Sequence, residues 1–229
     1  MKILAVDTAT EQCSAAIVVD GAGGTSWSRS LPTAREHAKL LLPMIDELLL
    51  ESRVSLAQLD GLAFGRGPGS FTGVRIAVGA IQGLALARNL AVVGISDLAA
   101  VAQHATLKHG LSAGAHILVC MDARMREVYW AEYTVGANGL VILAGTERVS
   151  SPTKVHTNAK LISIGAGTGW RAYSELGRLY SPTVIDSEVL PRALEICELA
   201  HAEFLLGRAV SAANAQPVYL RDEVATVRA

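Results

Sequence analysis

The chain has 229 residues, 51% hydrophobic and 18% charged, with 20 Lys and Arg against 21 Asp and Glu. That length and apolar content suit one large domain or two small ones around a sizeable core, and exclude a disordered chain. A net charge of −1 argues against strong autonomous binding to nucleic acid or an anionic membrane, and an aromatic content of 5% argues against a base-stacking platform.

In chain order, KILAVD (Lys2–Asp7) is a short apolar run ended by a polar cluster and reads as a buried strand. Its apolar run is too short for a signal peptide, so a soluble, cytoplasmic chain is expected. CSAAIVVD (Cys13–Asp20), the turn GAGG and TSWSRS complete a three-strand meander. Residues 34–51 read as a helix with Ala38, Leu41, Leu42, Ile45, Leu48 and Leu49 on one stripe. Leu40, Met44 and Leu50 add apolar surface elsewhere, and Pro43 bends the helix by removing one hydrogen bond. A helix apolar on more than one side is central or covered by a partner. A strand at Gly61–Gly65, a helix at Gly73–Leu90, a strand at Ala91–Ile95 and a helix at Asp97–His109 follow. The Val74–Leu90 stretch contains Arg75, Gln82 and Arg88 and does not read as a membrane span.

From His116 the order of elements repeats. A strand, an Asp-containing turn, a strand, the turn GANG and another strand match the opening meander, with Asp7 and Asp122 each ending a first strand. A strand at Lys160–Gly165, the loop GAGTG (Gly165–Gly169), a short helix from Trp170, a strand near Val184 and a helix at Arg192–Leu206 complete the chain. Two meanders, each followed by α/β crossovers, predict an α/β fold of duplicated halves facing each other across a cleft. The lobes are expected at residues 1–105 and 106–229, the last helix being able to pack back on the first lobe.

The glycine-rich stretch GRGPGSFTGVRIAVGAIQGLALA (Gly65–Ala87) matches no standard phosphate cradle. It lacks the spacing and lysine of a Walker loop, and Pro68 and Ser70 break a Rossmann fingerprint. Its glycines permit positive φ and close backbone approach, and Ser70 or Thr72 can cap the helix. Arg75 lies in the first helical turn against the dipole and calls for an acidic neighbour or a partner surface. Gly73, Ala77, Ala80, Gly83 and Ala87 recur at spacings of three and four, with apolar area from Val74, Val78, Ile81 and Leu84–Leu86. This pattern fits either tight packing within the chain or a close helix interface with another protein.

The Asp7–Thr8 turn can hold a phosphate or a metal-bound water, or close a turn in Asx fashion, and GAGTG can embrace an adenosine or simply turn. The six histidines show neither HExxH nor HxxxH spacing, and Cys13, Cys120 and Cys197 have no CxxC partner, so neither a zinc site nor a disulfide framework is indicated. No nucleophile–base constellation stands out. These are the loops of a nucleotide enzyme without its chemical groups.

ILAVDTAT, HAKLLLPMIDELL, GRGPGSFTGVRIAVGAIQGLALA and PVYLRDEVA (Pro217–Ala225), in this order, closely resemble the bacterial TsaB (YeaZ) family across nearly the whole chain. The resemblance implies the actin-like (ASKHA, Hsp70/sugar kinase) fold, each duplicated lobe having a mixed sheet and flanking helices. It implies a non-catalytic subunit of threonylcarbamoyladenosine (t6A) modification, beside the anticodon of tRNAs reading ANN codons. Such a subunit scaffolds TsaD together with the small ATPase TsaE, meets tRNA only indirectly and forms a homodimer when alone.

The same resemblance implies no catalytic residue, metal or cofactor. TsaD holds its metal with an HxxxH pair, and Asp97 and Val101 fall roughly there; MDARMREVYW also lacks the glycine of an actin-like phosphate loop. The partner-binding residues implied are Leu41, Ile45, Leu48, Val74, Ala77, Val78, Ile81 and Leu84. Asp7, Thr8, Gly165 and Gly167 are left as a vestigial nucleotide loop. The alternatives are an ATP-hydrolysing enzyme of the same fold with Asp7 near a metal, or a protease acting on TsaD.

Overall fold

Eleven strands and six α-helices, besides short 3₁₀ turns, make up the described residues of this computed structural model, which cover 1–20, 23–33 and 35–221. The first half runs β1 (Lys2–Asp7), β2 (Gln12–Val19), β3 (Thr25–Pro32), α1 (His37–Ser52), β4 (Gly61–Gly65), α2 (Phe71–Arg88), β5 (Val92–Ile95) and α3 (Asp97–His109). The second runs β6 (His116–Asp122), β7 (Val128–Val135), β8 (Val141–Leu143), β9 (Arg148–Ser150), β10 (Ile164–Ala166), α4 (Gly169–Ala172), α5 (Glu175–Tyr180), β11 (Val184–Asp186) and α6 (Ala193–Leu205).

The two sheets repeat one topology. The first has the order β3-β2-β1-β4-β5 and the second β8-β7-β6-β10-β11, with β9 paired to β7 as an addition. In each, the meander is antiparallel and the last two strands join in parallel through helical crossovers. This is the duplicated actin-like arrangement. β1 reads as an unbroken apolar run because both faces of its sheet are covered. Leu4 and Val6 face α1 and α2, while Ile3 and Ala5 face α6. α3 packs through Leu98, Val101, Ala102 and Ala105 on Ile117, Val119 and Tyr133 of the second sheet.

The final helices of the two halves are therefore exchanged. α3 lies on the second sheet, α6 lies on the first, and the two touch between the sheets. The expected lobe boundary after residue 105 falls inside α3, which runs unbroken to His109.

Boundaries differ in places from the sequence reading. β10 begins at Ile164 rather than at Lys160, α1 begins at His37, and β9 and α5 have no counterpart in the expected pattern. Ala34, Gly21 and Ala22 lie outside the described residues. α2 starts at Phe71 because the Ser70 hydroxyl accepts a hydrogen bond from Gly73 N, fixing the cap. The C-terminal motif crosses α2 as a strap. Val218 N donates to Arg66 O at 2.7 Å, Gln82 Nε2 to Ala215 O at 2.9 Å, and Arg75 Nε to Tyr219 OH at 2.9 Å. Residues 222–225 of that motif lie outside the described residues.

Glycine spacing in α2 separates two roles. A Cβ at Gly73 would stand 2.0 Å from the Thr8 carbonyl oxygen, whereas one at Gly83 would meet nothing within 4 Å. Gly73→Ala should therefore destabilise the fold by about 1–3 kcal/mol. Gly83→Ala should stabilise it by up to about 1 kcal/mol. Urea unfolding of the two variants beside the parent chain checks both signs.

Candidate functional site

β1 and β4 run parallel, and the carboxyl end of β1 meets the loop leading from β4 to α2. Asp7 closes an Asx turn there, its Oδ1 accepting from Ala9 N at 2.9 Å. The Thr8 hydroxyl donates to Gly73 O at 2.7 Å, pinning the turn to the first turn of α2. Asp97, the first residue of α3, accepts from Gly67 N through Oδ2 at 2.5 Å. Asp7, Thr8 and Asp97 are all fully buried.

Gly65 has no side chain because the two carboxyl groups fill its space. An added Cβ would lie 2.4 Å from Asp97 Oδ1 and 2.5 Å from Asp7 Oδ1. Burial pushes Asp7 up to about 6, and burial together with the neighbouring Asp7 carboxylate pushes Asp97 well above the usual carboxylate range. Beside them Arg66 pairs with Glu147 at 3.3 Å, and the buried Tyr133 hydroxyl donates to Glu147 at 3.2 Å. The Arg66–Glu147 pair joins the β4–α2 loop to the segment before β9.

The actin-like fold implies a nucleotide, and these residues do not fit one. The Asp7–Thr8 turn is covered by α2 and turns its carboxyl group toward Asp97. Gly165 is covered by the indole of Trp170, which an added Cβ would meet at 2.5 Å, and a Cβ added at Gly167, at φ +101°, would lie 2.8 Å from the Cys120 carbonyl oxygen. The adenosine cradle is thus filled by the chain's own tryptophan. In the second half Asp122 is exposed and accepts from Arg124 N at 2.8 Å and from the Tyr173 hydroxyl at 2.9 Å. Its turn lacks glycine, and Arg124, Met125 and Arg126 take left-handed φ of 58°, 53° and 60° instead.

Metal and thiol chemistry find no better footing. Among the described residues no group of three or more His, Cys, Asp or Glu side chains could hold a metal ion, and Val101 lies in the core under the second sheet. Cys13, Cys120 and Cys197 are buried, free thiols, which burial pushes up.

The eight residues assigned to a partner surface need correction. Leu41, Ile45, Leu48, Val74, Ala77, Val78 and Ile81 are buried in this chain's own core beneath α1 and α2, and Leu84 is half-buried at its edge. The strongest apolar stripe of each helix is taken by its own sheet. Facing outward are Leu42, at 51% exposure, and Leu50, at 80%, on α1. On α2 the outward residues are Gly79, Gly83 and Leu86, the last 71% exposed, with Ile76 and Ala80 half-buried.

Arg75 is balanced within the chain. Its guanidinium lies 3.7 Å from the Phe71 ring centroid and donates to Tyr219 OH, so aromatic faces supply what an acid was expected to supply. Sequence reasoning missed Asp97 as the companion of Asp7, because the two are ninety positions apart, and it missed Glu147, whose role depends on lobe packing. Titrating the chain with Mg–ATP should give no saturable heat in calorimetry, and Asp7→Ala should leave that trace unchanged.

Residues 31–173 match the TsaD family model, tRNA N6-adenosine threonylcarbamoyltransferase. The tRNA threonylcarbamoyladenosine biosynthesis protein TsaB of Escherichia coli is 43% identical over 98% of this chain and 96% of its own length. The Haemophilus influenzae protein of the same name is 39% identical over 98% of this chain and 95% of its own. Among solved structures, YeaZ from Pseudomonas aeruginosa aligns with a TM-score of 0.88 at 43% identity, covering 96% of this chain and 99% of that one. The chain belongs to the TsaB (YeaZ) family.

Proposed function

We propose that the chain is a non-catalytic subunit of t6A synthesis in the cytoplasm, binding TsaD through the outer faces of α1 and α2. The observation that carries this reading is the outward face of α2. Gly79 and Gly83 leave open space where a side chain would stand, flanked by the exposed Leu86 and the half-buried Ile76. A partner helix can approach such a face closely and bury apolar area on it. A filled nucleotide corner supports a role in assembly rather than catalysis. The relatives' names supply the pathway. Among the described residues no helix is long and apolar enough to cross a membrane.

In this reading TsaE joins the TsaD pair, tRNA meets this chain only indirectly, and the chain forms a homodimer when TsaD is absent. The near-neutral net charge supports indirect contact with tRNA.

Light-scattering chromatography with TsaD, followed by a reconstituted t6A assay, tests the reading. The wild-type chain should form a heterodimer and be required for modification. Leu86→Glu and Gly83→Leu should abolish both while changing stability by less than about 1 kcal/mol, as surface substitutions do. Leu205→Glu, exposed at the far end of α6, should change neither. Heterodimers of wild-type strength from both α2 variants would remove the face from the proposal, and modification without this chain would remove the role.

A further inference from the structure

The buried acid corner has no place in that reading, and its geometry is unusual. Asp7 and Asp97 each spend one carboxyl oxygen on a backbone N–H, from Ala9 and Gly67 respectively. Asp7 Oδ2 and Asp97 Oδ1 are buried and have no hydrogen-bond partner among the described residues. The two groups crowd one point, since a single atom added at Gly65 would touch both. Two ionised carboxylates cannot stay together and buried away from water, and an unsatisfied buried oxygen is itself costly.

A divalent cation does not resolve this arrangement. Magnesium demands about six oxygen ligands at roughly 2.0–2.1 Å, mostly kept as water. The corner is closed to solvent, and its other near polar groups, Ala9 N and Gly67 N, present hydrogens that repel a cation. A proton is the one cation that fits. Placed on one carboxyl it removes one buried charge and makes that group a donor to the other.

We propose that Asp7 and Asp97 share one proton, and that this shared proton latches the turn after β1 to the start of α3, the helix that packs on the second sheet. Asp7 ends a strand of the first sheet, whereas Asp97 opens α3, which packs on the second sheet. The surrounding groups favour Asp97 as the proton carrier. Glu147, near Asp97 and paired with Arg66, opposes a second negative charge there. His37, whose ring nitrogen meets Thr10 O at 2.9 Å, favours charge on Asp7. Cys13, on β2 near Asp7, is held neutral, and Tyr133 keeps its proton toward Glu147. The nucleotide corner of the fold thereby becomes a structural bolt.

Both carboxyl groups hold protons more tightly folded than unfolded, so their stabilisation is complete below about pH 4 and is lost as pH rises through the folded values. Asp97→Asn imitates the protonated group without titrating. Its melting temperature should match wild type near pH 4 and exceed it at pH 8, the gap widening with pH. Asp97→Ala should be less stable than Asp97→Asn at both. In Asp97→Ala, the amides of residues 8–10 and those of Arg66, Gly67 and Gly69 should lose hydrogen-exchange protection together.

Carbon-13 NMR of the labelled aspartates in the wild-type chain gives a readout that needs no variant: one carboxyl carbon of the pair should keep its protonated shift at pH 7. Two ionised shifts at pH 7, or an Asp97→Asn penalty equal at both pH values, would overturn the shared proton. Magnesium raising the melting temperature of wild type but not of Asp97→Asn would replace it with a cation site. Unchanged exchange at the two loops in Asp97→Ala would remove the latch.

Discussion

The molecule depends on one close approach, that of the turn after β1 to the loop and first turn of α2. Three glycines permit it. Gly65 makes room for two carboxyl groups, Gly69 lies against Ala9, and Gly73 lies against the Thr8 carbonyl. Ser70 N donates to Ala9 O at 2.7 Å and the Thr8 hydroxyl to Gly73 O, so the steric fit is also hydrogen-bonded. A side chain at any of the three would lever the helix off the sheet. With the helix seated, Val74, Ala77, Val78 and Ile81 fall onto β1 and β4, and what remains of α2 is turned outward. The same seating shuts the corner between Asp7, Gly65 and Asp97.

Much of this was legible in the sequence. The apolar runs at Lys2–Asp7 and Gly61–Gly65 and the periodic stretch after Ser70 mark their elements directly, because period and capping are local properties. The repeated meander announced a duplicated fold, and the glycine-rich stretch showed neither Walker nor Rossmann spacing. What stayed hidden is what two distant segments decide jointly. Asp97 read as the remnant of a lost histidine pair, and only the seating of α3 shows it facing Asp7. Trp170 read as a helix start, and only β10 shows its ring lying on Gly165. The placing of α3 on the second sheet leaves no periodic trace, since a helix needs an apolar stripe whichever sheet it meets.

The partner surface shows the same limit from another side. Periodicity ranks helix faces by apolar content, and the richest face is claimed first by the chain's own sheet. Leu41, Ile45, Leu48 and Ile81 therefore read as the most conspicuous candidates for an interface and are the least available to one. A second, weaker signal marked the other face. A Cβ at Gly79 or Gly83 would meet nothing within 4 Å among the described residues, unlike one at Gly73, yet the three look alike in sequence.

That difference carries an energetic argument. A glycine inside a helix costs about 1 kcal/mol relative to alanine. Gly73, in the first turn of α2, recovers that cost as backbone contact with Thr8. Gly79 and Gly83 meet nothing within 4 Å among the described residues, although together they cost about 2 kcal/mol where total stabilities run only about 5–15 kcal/mol. In the proposed function their compensation comes from a partner surface that approaches the α2 backbone more closely than an alanine would allow. The closed corner and the open helix face are then two results of one packing event. The contact that shuts the nucleotide site against Thr8 and Asp97 also fixes the angle at which α2 offers its glycines to a partner. An α2 free to move on its sheet would leave room for a phosphate but would present no rigid face to bind.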